Sequence, residues 1–469
     1  MTERLAQIVG PKHVLTGSDA EPFSRDWSGR YRWSPKAVVR PGDTAEVSKV
    51  LKLANDAGCP VVAVSGNTSV SGGTTADGAI VLSLSRLNKI RKIDPHTQIA
   101  VVEAGVILSN LHDAADAEDM IFPLTFGARG SALIGGCLST NAGGSNVLRY
   151  GNTRDLCLGI EVVLPDGRIM DLMSELHKNN TGLDLRHLMI GAEGTLGIIT
   201  AAVLKLHPKP KAVATAMIAP RDLRVALEVL NKLNDATGRG VDAFEYMPRS
   251  HIEGHLALSK GAREPFEDRH EVNVLLEVSS TRPVDAQVDA DGTTALTGLL
   301  EAELARRLET GDIADAVIAR SEAQRREMWE RREAAAEVAY TREPRVDSDI
   351  ALPLDKVAGF FDEAMMRLRS LDPEVSNISV THLGDGNIHY CVYPSRDDET
   401  LKDGIRETIE QIVAESGGSF SAEHGIGVHK LSTMRRRKDE VALDVMRAIK
   451  TAIDPKGILN PGKVFPARN

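Results

Sequence analysis

The stretch His382-Leu-Gly-Asp-Gly-Asn-Ile-His389 constrains this chain more than any other, because a tight turn at its centre makes neighbours of two separated histidines. Asp385-Gly386 is a preferred two-residue hairpin turn. Gly384 is therefore expected to face Asn387, Leu383 to face Ile388, and His382 to face His389 directly across an antiparallel ladder. Opposed residues in such a ribbon have Cβ atoms about 5 Å apart and share a face, which suits two imidazoles gripping one metal ion. Further on, Glu423-His424 lies in Ser-Ala-Glu-His-Gly-Ile-Gly, a small-residue turn able to bring a carboxylate ligand and a further histidine to the same ion. Two histidines and one carboxylate leave coordination positions open for substrate. That favours a catalytic site over a structural one, since structural zinc sites are closed and usually rich in cysteine.

At 469 residues the chain exceeds what one hydrophobic core usually organises, so two or three domains are expected. Its 42% hydrophobic content and 40 glycines, gathered in clustered turns, indicate a globular protein of helices and strands. A formal charge of −10 excludes a sequence-independent nucleic-acid binder, whose affinity comes from neutralising phosphates with Lys and Arg. It leaves room for an anionic small substrate, because a pocket can be locally positive. Cys59, Cys137, Cys157 and Cys391 show no CxxC spacing and are too sparse for a disulfide framework, so a reducing, cytoplasmic compartment is expected. Residues 1 to 10 contain no apolar run of secretory-signal length, and no stretch reaches the roughly 18 apolar residues of a membrane span.

Along the chain, Ala37-Val38-Val39-Arg40 reads as a strand, Thr44 as an N-cap, Ala45 to Ala57 as a helix, and Pro60 to Val64 as a buried strand. That strand runs into Ser65-Gly66-Asn67-Thr68-Ser69-Val70-Ser71-Gly72-Gly73, whose backbone N–H groups and hydroxyls can closely approach phosphate oxygens. A second glycine-rich region spans Gly127 to Gly144, and Ile160 to Leu172 reads as a β-hairpin turning at Pro165-Asp166-Gly167. A third, Gly191 to Gly197, precedes a strand from Ile198 to Leu206. His207-Pro208-Lys209-Pro210 is a stiff boundary, which divides the chain into 1–210, 211–425 and a closing segment 426–469. Beyond it, strands such as Val272 to Val278 mix with long helices, notably a charged run from Ala314 to Tyr340 and an amphipathic helix over 400–415.

No GxGxxG follows a strand and opens a helix, and no GxxxxGK[ST] occurs, so a nicotinamide site is not expected. Three separated glycine clusters suggest instead a long ligand threaded between subdomains. The order of Ser65-Gly66-Asn67-Thr68, Gly130-Ser131, Ile134-Gly135-Gly136, Thr140-Asn141-Ala142-Gly143-Gly144, Tyr150-Gly151-Asn152-Thr153-Arg154-Asp155, Glu193-Gly194-Thr195-Leu196-Gly197 and Asn460-Pro461-Gly462-Lys463 closely resembles the FAD-dependent vanillyl-alcohol-oxidase superfamily. Within it, His382 to His389 and Ser421 to Gly427 resemble the D-2-hydroxyacid dehydrogenase branch, which includes D-2-hydroxyglutarate and D-lactate dehydrogenases. The resemblance covers nearly the whole chain.

It implies an α+β protein: an FAD-binding domain of two subdomains, 1–210, and a substrate and metal-binding cap on an antiparallel sheet, 211–425, with 426–469 returning to the FAD domain. By position, Ser65, Gly66, Asn67, Thr68 and Ser69 should hold the FAD pyrophosphate. Pro123, Gly130, Ser131, Gly135, Gly136, Asn141 and Gly144 should line the rest, with Ile199 and Asn460 close by. Lys463 would either contact the cofactor or cap the last turn. Some relatives attach flavin through a histidine where this chain has Asn67, so non-covalent FAD is implied. A divalent metal, usually zinc, sits in this branch on the equivalents of His382, His389 and Glu423. His424, adjacent and not a ligand, would remove the hydroxyl proton while hydride passes to flavin N5. Arg332 matches the arginine that binds the substrate carboxylate.

Three positions depart from the hydroxyglutarate pattern, which carries threonine, lysine and asparagine where this chain has Ala336, Asp347 and Cys391. Loss of a cation and two polar groups disfavours a second, distal carboxylate. The expected activity is therefore oxidation of a D-2-hydroxy monocarboxylate, or of one with an uncharged tail, with D-2-hydroxyglutarate as the alternative. From other classes, a metal-dependent hydrolase with purely structural glycine loops, and a cofactor-binding protein without catalysis, are the competing readings. Beyond the small hydroxy acid, the expected partner is an electron acceptor left open among electron-transfer flavoprotein, cytochrome, quinone and oxygen. A homodimer is compatible with the chain.

Overall fold

The computed structural model describes residues 1–27 and 29–467. Two compact units are present: Met1–Gly143, Gly151–Lys209 and the segment from Glu423 onward form the first, while Gly144–Tyr150 and Pro210–Ala422 form the second. The sequence places the return to the first unit after residue 425; in the structure it begins at Glu423.

The first unit carries three separate sheets, the smallest of them a two-stranded pairing of Met120–Ile121 with His207–Pro208. One has four strands, in the order Val14–Leu15, Ala37–Val39, Ile80–Ser83, Val61–Val64, with the last three parallel. Helix Thr44–Asp56 packs on it because Val47, Val50, Leu51 and Ala54 recur on one face and meet Val39, Val61 and Leu82 in a shared core. Its N-cap is Asp43, whose carboxylate accepts from the Glu46 amide at 2.8 Å, rather than the expected Thr44. Thr44 instead gives its hydroxyl to Glu161. The second sheet is antiparallel, in the order Ile90–Asp94, Ile99–Glu103, Ile198–Lys205, Cys157–Val163, Ile169–Leu172, and contains the expected hairpin with Val163 paired to Ile169.

The second unit is built on seven strands: β1 Ala212–Pro220, β2 Val241–Pro248, β3 Val272–Ser280, β4 Ile313–Ile318, β5 Val346–Ala351, β6 Ser376–His382 and β7 Asn387–Tyr393. They lie in the order β4-β1-β3-β2-β6-β7-β5, and every neighbouring pair is antiparallel. Alternation along the strands separates two faces. Phe244, Tyr246, Ile388, Tyr390 and Val392 point to a large core closed by helices Leu223–Thr237, Ala295–Thr310, Leu354–Leu371 and Glu399–Glu415. The opposite face is covered more thinly, by helices Arg249–Leu258, Glu322–Glu333 and Ala335–Ala339. That second face carries the polar residues.

Two expectations are corrected here. Ile313–Ile318 is an edge strand rather than the start of a long charged helix, because Ile313, Ala316 and Ile318 find apolar partners beside β1, and Ser321 then caps a separate helix. The hairpin is wider than a two-residue turn: His382 pairs with Asn387, and His389 lies opposite Val380. Both the Asp385 and Gly386 amides donate to His382 O, and a Cβ at Gly386 would lie 2.2 Å from Leu352 O, so packing against the neighbouring segment sets the loop. The register differs from expectation by two residues, which preserves the face of every side chain. His382 and His389 become diagonal neighbours on one face, and long side chains still meet across such a diagonal. Among the described residues no helix is long and apolar enough to cross a membrane, and all four cysteines are free and buried.

Candidate active site

On the thinly covered face of the second unit, strands β2, β6, β7 and β5 line up Glu245, His382, His389 and Asp349. Glu245 is the register partner of His382, and Asp349 is the register partner of His389. The two imidazole rings stand edge to face with centroids 5.3 Å apart, and they offer nitrogen atoms within 4.8 Å of each other. His382 Nδ1 lies 2.8 Å from Glu245 Oε1, and His389 Nδ1 lies 3.8 Å from Asp349 Oδ1. His382 Nδ1 thus lies within hydrogen-bond reach of its carboxylate, while His389 Nδ1 stands beyond that reach from Asp349. A carboxylate bonded behind the ring, as on His382, fixes the tautomer and orientation of a metal-binding histidine. The donor set present fits a divalent cation.

Arg332 lies on helix Glu322–Glu333, whose charge-dense sequence suggests a solvated surface. It is nevertheless buried, with a side chain only 9% exposed. Three contacts hold this helix down: Met328 in an apolar cluster with Met217 and Met247, a two-pronged Arg325–Glu277 pair at 2.7 and 2.9 Å, and Trp329 Nε1 donating to Glu277 at 2.8 Å. Arg332 Nε then donates to Glu245 Oε2 at 2.6 Å, and its Nη2 lies 3.3 Å from His382 Nε2. Glu245 thus serves the arginine with one oxygen and the histidine with the other. Burial pushes its carboxyl up, but the charges of His382 and Arg332 and their hydrogen bonds prevail and hold it at about 2. Asp385, in the turn beside them, moves the other way, to about 6, because burial outweighs the same cations.

Removing Glu245 leaves a buried guanidinium without its anion. Glu245→Ala is therefore expected to cost about 3–5 kcal/mol of stability, checked by urea unfolding, against less than about 1 kcal/mol for a surface glutamate such as Glu399. A loss no larger than the surface control would show that Glu245 does not anchor the site.

Glu423 and His424 follow directly on the second unit. Ala351 and Ser419 form a bridge, and the Ala422 amide donates to Asp349 O at 3.3 Å, so the chain leaves beside β5 at the residue facing His389. Glu423 comes next. In the first unit, His424 O accepts the Ser71 hydroxyl at 2.8 Å.

The expected cofactor residues form a cradle in the first unit. A Cβ at Gly66 would lie 2.1 Å from Ser131 O, and one at Gly136 would meet Ser65 Cβ at 2.9 Å, so the loops 65–69 and 130–136 interlock through missing side chains. Ser65 Oγ and Asn460 Oδ1 are buried with no hydrogen-bond partner among the described residues. Orphaned polar atoms in such a cradle fit a polar ligand. Asn460 Nδ2 ties Gly73 O at 3.1 Å to Glu193 O at 2.7 Å, while Asn141, at φ 52, ends helix Ile134–Thr140 and accepts from the Arg154 amide. Pro123 and Ile199 are buried in the same unit, Gly130 closes a short 3₁₀ turn, and Thr68 and Ser69 are half-buried. Gly144 differs: it opens the Gly144–Tyr150 segment of the second unit. Lys463 donates to Thr75 O and Pro461 O, a cap on the terminal turn, and burial lowers its pKa to about 8.

Asn67 makes its own bonds, from Nδ2 to Arg25 O and from the Thr74 hydroxyl to Oδ1, both 2.8 Å, and has no imidazole to offer flavin. All FAD should therefore appear in the supernatant after acid precipitation; yellow colour remaining on the denatured chain would overturn this.

Glu245 and Asp349 were not singled out in the sequence, and their strands also carry Asp242 and Asp347, so an acidic residue in a strand does not by itself pick them out. Asp347 and Cys391 are register partners one pair beyond Asp349 and His389 on the same face. Cys391 there packs with Val338, Ile378 and Tyr393, and Asp347 is bound by Arg345 at 3.1 Å.

The family described as "FAD binding domain" matches residues 35–173, and "FAD linked oxidases, C-terminal domain" matches residues 209–464. The chain belongs to the FAD-linked oxidases. This FAD-linked oxidase is 35% identical over 458 residues to a D-2-hydroxyglutarate dehydrogenase of Xanthomonas citri pv. viticola, covering 96% of this chain and 93% of the relative. It is 33% identical over 462 residues to the mitochondrial D-2-hydroxyglutarate dehydrogenase of Arabidopsis thaliana, covering 98% and 80%. Its fold is similar to that of p-cresol methylhydroxylase, with TM-score 0.74 at 16% identity, over 99% of this chain and 96% of that one. The α+β architecture of vanillyl-alcohol-oxidase type, with its antiparallel cap sheet, is thereby shown. So is membership of an FAD-dependent oxidoreductase family.

Proposed function

We propose that this FAD-linked oxidase oxidises a D-2-hydroxy acid to the 2-oxo acid with non-covalent FAD and a divalent metal, zinc by donor type. The observation that supports this best is the row Glu245, His382, His389, Asp349 with Arg332 beside it. His382, His389 and Glu423 would hold the metal. When bound, FAD accepts hydride at N5 and the cation acts as a Lewis acid toward the substrate's hydroxyl oxygen. Arg332 binds the α-carboxylate, and Glu245, gripping Nε, fixes the guanidinium plane for a two-pronged contact. His424 removes the hydroxyl proton. The metal-dependent hydrolase reading loses its support, since it needs the glycine loops to be structural and two of the three, 65–73 and 127–144, lie within the match to an FAD-binding domain.

The names of the relatives favour D-2-hydroxyglutarate as the substrate. The face beyond His389 favours an uncharged tail. The next register pair on the same face lies two residues along the strand, about 7 Å away, the reach of a five-carbon acid. At that distance lie Cys391, its apolar cluster and Asp347, whose nearest cation, Arg345, is already engaged by Asp347 and Glu343 and stacked on Tyr340. Of the two arginines beside that cluster, Arg345 is ion-paired and Arg342 is stacked on Tyr393 and donates to Ser376, so a second carboxylate would have to displace one of these contacts, and each 1.4 kcal/mol of mismatch is about tenfold in binding.

The test is anaerobic flavin bleaching with D- and L-lactate, longer D-2-hydroxy acids, D-malate and D-2-hydroxyglutarate. Bleaching by D-acids alone is expected, with the highest kcat/KM for an uncharged tail. A tenfold preference for D-2-hydroxyglutarate would overturn the tail assignment, and no bleaching by any of them would overturn the dehydrogenase.

A further inference from the structure

The turn that carries Glu423 and His424 has a foundation within the first unit that the reaction as described does not use. Glu193 Oε1 accepts the Ile426 amide at 2.7 Å and Oε2 accepts the Gly427 amide at 2.9 Å, so one carboxylate clamps two consecutive N–H groups. Ser71 does the complementary work. Its hydroxyl donates to His424 O at 2.8 Å, and its carbonyl accepts from Val428 and His429 at 3.0 and 3.1 Å. The approach is close enough that only glycine fits: a Cβ at Gly425 would lie 2.8 Å from Glu193 Oε1, and one at Gly427 would lie 2.1 Å from Ser71 O. Both glycines also have positive φ, 70° and 51°.

The clamp is itself held in place. Glu193 adopts φ 50, outside the usual range for a side-chain-bearing residue, and is fixed there by its amide donating to Ser139 O at 2.8 Å and its carbonyl accepting from Asn460. Burial pushes its carboxyl pKa up, against the two amide hydrogen bonds and Lys430.

We propose that Glu193 and Ser71 are positioning residues, which fix the turn Glu423–Gly427 so that Glu423 reaches the metal and His424 reaches the substrate hydroxyl. This rests on the function proposed above. A carboxylate supplies two acceptor oxygens to two N–H groups; the amide of glutamine supplies one, and its NH₂ opposes the other N–H. Losing a charge-assisted bond to the turn loosens Glu423 and His424 together, without removing either.

The experiment measures Zn²⁺ affinity, by competition with a chelating dye, and anaerobic flavin reduction by the best D-2-hydroxy acid, using FAD-loaded protein. Glu193→Gln is expected to weaken Zn²⁺ at least tenfold and slow reduction at least tenfold at equal FAD content, with substantial recovery in Glu193→Asp. Ser71→Ala, which deletes one neutral bond, is expected to lower both by threefold or more. If Glu193→Gln fails to fold or to hold FAD, Ser71→Ala decides. Zn²⁺ affinity and reduction rate within twofold of wild type, in Glu193→Gln or in a deciding Ser71→Ala, would overturn the proposal. Wild-type protein that binds no Zn²⁺ and turns over fully without it would instead sink the functional reading itself.

Discussion

Changing His424 to Ala is expected to slow flavin reduction by at least about a hundredfold while the metal stays bound. A positioned general base contributes roughly a hundred- to ten-thousandfold, or about 3–5 kcal/mol of barrier. The substitution removes the imidazole but leaves the backbone carbonyl that accepts the Ser71 hydroxyl, so the turn keeps its attachment. Glu193 likewise continues to hold the Ile426 and Gly427 amides. Stopped-flow reduction paired with metal analysis separates the possibilities. Slow reduction with full metal content fits a base, slow reduction with metal lost makes His424 a ligand, and reduction within a few-fold of wild type removes it from proton transfer.

Much of the first unit was legible because its signals are local. Val61–Val64 opens into the small polar loop as the residue pattern requires, and the hairpin ending at Leu172 turns where Pro165-Asp166-Gly167 demands. Asn67, Asn141 and Glu193, by contrast, take positive φ without being glycine. Asn141 takes it as a local helix C-cap, to which asparagine is suited, whereas Glu193 is held there by Ser139 and Asn460, which no window of sequence around it announces.

The second unit shows where local reading stops. Asp385-Gly386 correctly marks a reversal, but the turn's width was set by Leu352 and Phe244, which lie far away in sequence. The error was harmless because a shift of two keeps a strand's faces. Strand β4 was obscured because its neighbours in sequence are helix formers, while its register partners come from β1. Glu245 was invisible for a related reason: its partners are 87 and 137 residues away. Arg332 was visible only through family likeness, since its own helix looks solvated.

Removing the metal should have the largest effect of all, and should spare the flavin. Dialysis against a strong chelator, or the substitution His389→Ala, is expected to cut substrate-dependent flavin reduction by about a thousandfold or more, since Lewis-acid stabilisation is worth several kcal/mol. His389 is the better target than His382. Its side chain is 28% exposed and only loosely paired with Asp349, which keeps a hydrogen bond from Asn387 at 3.0 Å, whereas His382 shares Glu245 with Arg332 in a buried cluster. FAD should remain, because the Ser65–Ser69 loop, Ser131, Gly136 and Asn460 lie in the first unit and depend on neither histidine. The 450 nm absorbance per protein should therefore be unchanged within about a tenth, and added Zn²⁺ should restore reduction in the dialysed wild type but not in His389→Ala. Metal-free protein that still bleaches at the wild-type rate would defeat the mechanism, and flavin lost together with the metal would show that the two sites are not held by separate elements.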